Sequence, residues 1–311
     1  MDNEIDQVSS EHSKVLTTQL PKALRLEIDK LLLASSTALI LDGELAGSGT
    51  FIKCGSTYGI LTAHHVIHNP HDRLRRFDFS AGSSQELGLV VIDKRNHSFT
   101  IPMPLLSCVD IGIPQDEGSG PDLSVVVLPE VRARDIAVRK SFTDISVKRA
   151  ERIEQCQTPV GGWCGVGFAQ CYTRPHESST DTRRVTFIPS LTLYSQIVRN
   201  FTIDDFDYVH LNVMCPQMSE DIEPPSSFAG MSGGGIWHVR VARDPKTSGV
   251  FLDVEGTILA GVMFYQTFWE NKPKELRCHA WKSIYQKVYE ALSNWESQQS
   301  RDDRDPSTGS G

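Results

Sequence analysis

Three short segments carry residue types that could act together. In "GILTAHHVI", Gly59 to Ile67, an apolar run ends in Thr62 and Ala63 and then delivers His64 and His65. In "PDLSVVVL", Asp122 stands just before a hydrophobic strand pattern. In "GMSGGG", Gly230 to Gly235, Ser232 sits among glycines. A serine hydroxyl is a poor nucleophile until a neighbouring base accepts its proton. A neutral imidazole can do so near pH 7. A buried carboxylate fixes the imidazole tautomer and stabilises the imidazolium that forms. The oxyanion of a tetrahedral intermediate needs donors aimed at it. Backbone N–H groups serve only if the chain bends tightly around the serine, and glycine permits that bend. The chain order His, Asp, Ser therefore has the parts for acyl transfer at Ser232.

Other chemistries are weaker on the same residues. His64, His65 and His68 lie within one helical turn and could hold a metal, but no carboxylate signature accompanies them, so no metal site is expected. Asp93 and Asp110 are the rival acids to Asp122. The seven cysteines are scattered, without a Cys-x-x-Cys pair, so free thiols and no zinc cluster are expected.

Positioning such residues requires a framework, and the texture from about Thr37 to Cys278 is that of short strands. Runs such as "TALIL", "YGILTA", "LSVVVL", "DYVHLNVM" and "TILAGVMFY" alternate with Gly, Pro, Asn and Asp turns. About 240 residues of this kind suit two β-barrels better than one. The expected division is a disordered N-terminus (1–18), a helix (19–34), an N-terminal barrel with His65 and Asp122 (36–140) and a charged crossover (141–156). A C-terminal barrel with Ser232 (157–280), a helix (281–297) and a disordered tail (298–311) follow. Leu20, Leu24, Ile28, Leu31 and Leu32 have helical spacing, and so do Trp281, Ile284, Tyr285, Val288, Tyr289, Leu292 and Trp295.

Composition narrows the function further. Hydrophobic residues make up 39% and charged residues 23%, as in soluble globular proteins. The net charge of −8 and the lack of a Lys/Arg stripe give no support for nucleic-acid binding. No apolar run is long enough to cross a bilayer, so no membrane partner is expected. The acidic start "MDNEIDQVSSEHSK" lacks the blocks of a secretory signal, and a cytoplasmic location is expected.

The motifs, taken in order, resemble those of chymotrypsin-like (trypsin-fold) serine proteases. "ILTAHHV" resembles their Thr-Ala-Ala-His segment, "DLSVVVL" their Asp-Leu/Ile-Ala-Leu strand, and "GMSGGG" their Gly-Asp-Ser-Gly-Gly motif. "SGTF" at 48–51 is similar to the bacterial HtrA-type branch, and "GWCGVGF" at 162–168 to the Gly-rich strand of the second barrel. The resemblance covers roughly residues 36–297. It implies a mostly β fold of two six-stranded antiparallel barrels. It implies His65 as general base, with His64 as an extra histidine, Asp122 as orienting acid and Ser232 as nucleophile. The Gly230 and Ser232 N–H groups match the oxyanion hole. Phe264, Tyr265 and Gln266 match the wall that pairs with substrate, although Tyr265 could equally be a core aromatic. Ser226 falls at the base of the specificity pocket, and its lack of charge argues against a strict Lys/Arg preference.

Two departures stand out. Met231 replaces the acid that in trypsin pairs with a newly freed N-terminus, so activation by clipping is not expected, and a protein activator or loop ordering takes its place. Val66 stands where a disulfide cysteine would be. The implied activity is that of a serine endopeptidase acting on a protein or peptide without cofactor. A switched, narrow-specificity protease of bacterial stress or defence is one version of it. The alternative is a protease-fold binding or regulatory module without turnover.

Overall fold

Turn residues cut the chain into strands, and the strands build two antiparallel sheets. The computed structural model describes residues 20–68, 76–90, 98–116, 118–157, 161–176, 185–187, 190–214, 227–243, 246, 249–269 and 272–302. Helix α1 (Lys22–Ala34) leads into β1 (Ser36–Leu41), β2 (Glu44–Cys54) and β3 (Thr57–Thr62). The one-turn helix α2 (His64–His68) follows, then β4 (Glu86–Val90), β5 (Ser98–Pro102), β6 (Ser107–Gly112) and β7 (Leu123–Leu128). These strands lie in the order β5-β4-β1-β2-β3-β7-β6. Helix α3 (Glu130–Ala137), the short strand β8 (Thr143–Asp144) and helix α4 (Arg149–Cys156) carry the chain across, with β8 pairing parallel to β2.

The second sheet takes β9 (Gly162–Phe168), and a separate hairpin of β10 (Arg174–His176) and β11 (Val185–Phe187) follows it. Next come β12 (Ser190–Ile203), β13 (Phe206–Met214), β14 (Gly235–Arg243), β15 (Val250–Trp269) and β16 (Lys272–His279). With β9 they close into a six-stranded barrel, β12-β13-β16-β15-β14-β9. A π-helical turn (Ser283–Val288) and helix α5 (Tyr289–Asp302) end the described chain.

The mostly β, double-barrel architecture expected from the sequence is thus the architecture observed. The two halves are not alike in detail. The second closes with six strands, whereas the first runs as a seven-strand path with β8 added on β2. Two-residue hairpins with a type I′ turn need positive φ at both central positions. Asp42 and Gly43 (φ 50° and 80°) supply it between β1 and β2, and Asp204 and Asp205 (48° and 65°) between β12 and β13.

One buried cluster joins the two sheets. Phe51, Ile60, Leu61 and Val125 from the first meet Val166, Ile236, Val262 and Leu276 from the second. Helix α1 adds Leu24, Ile28 and Leu32, the stripe its spacing marks. Lys140 Nζ donates to Leu33 O (2.9 Å), at the C-terminal end of α1, and to Ser36 O (2.7 Å), at the start of β1. Burial lowers its pKa to about 8. At the other end of the chain, Trp281, Ile284, Tyr285, Val288 and Leu292 are buried. The Ser56 N–H donates to Glu296 Oε1 (3.1 Å), tying α5 to the β2–β3 turn.

Two expected boundaries differ from the structure. The segment 141–156 is not a plain linker, because "RAERIEQC" forms α4. Its Ala, Arg, Glu and Gln are good helix formers. The last helix runs to Asp302, past the expected end at 297, since no Gly or Pro interrupts the sequence before Pro306. Residues 1–18 and 303–311 lie outside the described residues. Among the described residues, no helix is long and apolar enough to cross a membrane. Cys54, Cys108, Cys156, Cys164, Cys171 and Cys278 are free, and Cys215 lies outside the described residues.

Candidate active site

The ladder between β3 and β7 brings the first two groups together. Thr62 faces Ser124 in that register, so the residues just beyond each strand end also meet. His65, in the first turn of α2, donates its backbone N–H to Asp122 Oδ1 (2.9 Å). Its ring Nδ1 lies 2.6 Å from Asp122 Oδ2. One carboxylate thus holds the histidine by main chain and by ring. Asp122 is only 3% exposed, which favours a strong bond to the imidazole N–H. With Nδ1 carrying the proton, Nε2 is left as the free base.

Asp122 is held in turn from the other barrel. Its N–H donates to His279 Nε2 (3.0 Å), at the end of β16. Burial lowers the His279 pKa to about 4, against the opposing attraction of Asp122, so the ring is neutral and can accept. Nothing in the local sequence around His279 signals this role, because the contact spans the two halves of the chain.

The third group sits on a turn set by glycine. Gly230 and Gly233 have φ of +88° and +86°, where a side chain is strained. A Cβ at Gly233 would also overlap Ser48 O and Thr62 Oγ1. Within the turn, Met231 N–H donates to Phe228 O and Gly234 N–H to Met231 O, both at 2.9 Å. Gly233 N–H donates to Met263 O (2.7 Å), which fastens the turn to β15. Met231, expected to be the telling departure, is 1% exposed and packs in the core. Hydrophobic burial holds this residue where the resemblance would have an ion pair.

Ser48, from the first sheet, clamps the turn from outside. Its N–H donates to Ser232 O (2.8 Å), its hydroxyl donates to Gly230 O (2.7 Å), and Phe168 N–H donates to that hydroxyl (2.9 Å). The "SGTF" motif marked this segment, although not the contacts it makes.

These elements surround a cavity of about 1190 Å³, lined among others by His65, Asp122, Gly230, Ser232, Phe264, Tyr265 and Gln266. Among the described residues, the N–H groups of Gly230 and Ser232 have no protein acceptor, so both are available to an oxyanion. The Ser232 hydroxyl makes no hydrogen bond to His65 in this state. The ring of Phe264 is buried among Tyr208 and His279, so only its main chain can meet a substrate. Tyr265 is half-buried beside Gly118 and Arg277. Gln266 Oε1 accepts from Phe228 N–H (2.7 Å), and its Nε2 donates to Ser227 Oγ (3.1 Å). Ser226 and Asp93 lie outside the described residues.

The β14 ladder on β15 begins with Gly235 opposite Val262, and Gly233 and Gly234 bond Met263. Beyond that point, residues 265–269 pair only with β16 among the described strands. A strand edge next to Ser232 that has no second partner among the described residues can take an extended peptide.

His64 and Asp110 line the same cavity but pair with each other. Asp110, a rival acid by sequence, faces His64 and His68 rather than His65. The sequence pattern offered no carboxylate to these histidines, yet the fold brings one from β6.

No family model matches the sequence, and no curated protein does. Several solved structures are similar in overall chain path. Kallikrein-related peptidase 10 shares 9% identity at a TM-score of 0.39, over 87% of this chain and 97% of its own. An HtrA-type protease solved with a decapeptide shares 10% at 0.41, over 88% of this chain and 65% of its own. Deg5 shares 14% at 0.38, over 79% and 88%. These values are too low to bear on activity.

Proposed function

We propose that the chain is a serine endopeptidase. Ser232 Oγ attacks the scissile carbonyl carbon while His65 Nε2 takes its proton. The carbonyl oxygen becomes an oxyanion, held by the Gly230 and Ser232 N–H groups. Collapse breaks the C–N bond, His65 returns the proton to the leaving amine, and an acyl ester remains on Ser232. Water, deprotonated by His65, then releases the acid and restores the hydroxyl. Asp122 orients His65 throughout and stabilises its charged form. The substrate lies extended along the edge of β15 next to Ser232. Because Met231 is buried without an ionic partner, the turn needs no newly freed N-terminus.

The observation that carries this reading is the double hold of Asp122 on His65, at 2.9 and 2.6 Å, beside a serine turn with two unclaimed N–H groups. A peptide library incubated with the full chain should yield new termini that the Ser232→Ala variant does not produce. Cleavage that persists in that variant, or a library left uncut by folded wild type, contradicts the proposal. A binding module without turnover is the second reading, favoured by the missing Ser232–His65 hydrogen bond. Such bonds are often long in unliganded enzymes and tighten with substrate.

A further inference from the structure

A second cluster of reactive groups, on α2 and β6, lines the same cavity as Ser232 but takes no part in the machinery assigned to it. His64 Nδ1 is 3.2 Å from Asp110 Oδ1, and His68 Nε2 is 3.0 Å from the same oxygen. The two rings are 4.3 Å apart, and the three ligand atoms all lie within 4.8 Å of one another. Ser124 Oγ donates to that oxygen at 2.8 Å, and Cys108 Sγ approaches it at 3.4 Å. Four polar groups therefore crowd one carboxylate oxygen, which has about two lone pairs to offer, and His64 Nδ1 also lies 3.1 Å from Ser124 Oγ.

We propose that His64, His68 and Asp110 form a binding site for a divalent ion of the zinc class. Ligands at about 2.0–2.2 Å around a tetrahedral ion sit about 3.3–3.5 Å apart, close to the separations between each imidazole nitrogen and the carboxylate oxygen. Binding makes both ring nitrogens ligands and relieves the crowding on Oδ1. Ser124 keeps its bond to the ligating carboxylate, the kind of outer contact that orients metal ligands. Cys108 Sγ, 3.9 Å from His68 Nε2, lies at the margin as a fourth donor. Two imidazoles and a carboxylate suit zinc and its neighbours better than calcium or magnesium. His64 is 12% exposed, and His68 and Asp110 are 32% exposed, so an ion can reach the site from solvent. The ion would join α2 to β6, beside the residue that orients towards Asp122. None of this depends on peptidase activity.

The test is zinc titration of the full chain carrying Ser232→Ala, so that self-cleavage cannot interfere. One zinc ion should bind per chain. Affinity should fall at least about tenfold in His68→Gln and in Asp110→Asn, while His65→Ala binds as the parent does. X-ray absorption on the zinc-loaded parent, which needs no further variant, should show nitrogen and oxygen ligation with two imidazoles. A folded parent that binds no zinc, undiminished binding in either ligand variant, or a shell dominated by thiolates overturns the proposal.

Discussion

Asp122 touches His65 at two atoms, and this doubling sets what an amide in its place would do. Asparagine has one acceptor where the carboxylate has two. It can receive the His65 backbone N–H or the ring N–H, but not both, and its NH2 then faces a donor. The imidazole is driven to the tautomer with its proton on Nε2, where the base is needed. Asp122→Asn should therefore lower kcat about 10⁴-fold and leave KM and thermal stability nearly unchanged, measured by steady-state kinetics and calorimetry. A loss confined to KM would contradict the orienting role. At this scale the sequence was informative: the order of "TAHH", "PDLS" and "GMSG" selected the three side chains the structure brings to one cavity. It could not choose Asp122 over Asp110 by spacing alone. That choice is made by strand register, which puts Asp110 against His64 and His68.

Among the elements, β2 does more than its place in the first sheet suggests. Through Ser48 it reaches the Ser232 turn and β9, and each of its contacts there ends on a group from the other barrel. Ser48→Ala would leave the Phe168 N–H and the Gly230 carbonyl without this partner. We expect about 1–3 kcal/mol of lost stability, read by urea denaturation, and slower acylation of Ser232, because Gly230 is free to shift. Unchanged stability and acylation would show that the turn stands without the clamp. Gly233→Ala should be worse, since its φ of +86° and the overlap with Ser48 O and Thr62 Oγ1 cannot both be relieved by small movements. A loss of about 2 kcal/mol or more is expected. Strands and the two flanking helices could be read from alternation and 3.6-residue spacing. The helix "RAERIEQC" was hidden by its charge, because its apolar side is one short line of Ala150, Ile153 and Cys156, of which only Cys156 is buried.

Across the whole molecule, buried histidines link folding to acid: burial lowers the pKa of His210, against the pull of Glu275, and more strongly those of His238 and His279. Burial lowers the pKa of His238 to about 4, aided by Arg240, and that of His279 to about 4, opposed by Asp122. In the unfolded chain both return to about 6.5. Between these values the unfolded state binds protons that the folded state refuses, so stability is complete above about pH 6.5 and falls as pH drops towards 4. His238 and His279 should each cost about 3 kcal/mol by pH 4. Urea denaturation at pH 7.5 and pH 4.5 should show the loss, and His238→Leu should reduce it. A flat profile would contradict the neutral, buried state of both rings. What the sequence could not show at this scale was the seam itself. His279 on Asp122 and Ser48 on Gly230 are contacts between halves, and no local pattern encodes a partner more than a hundred residues away.

A fluorophosphonate probe tests whether Ser232 is a nucleophile activated by His65, without knowledge of the substrate. Intact-mass spectrometry of the full chain should show one adduct per molecule, and peptide mapping should place it on Ser232. The adduct should vanish in Ser232→Ala and form far more slowly in His65→Ala. Folded wild type that stays unlabelled, or a label that persists in Ser232→Ala, would contradict the account.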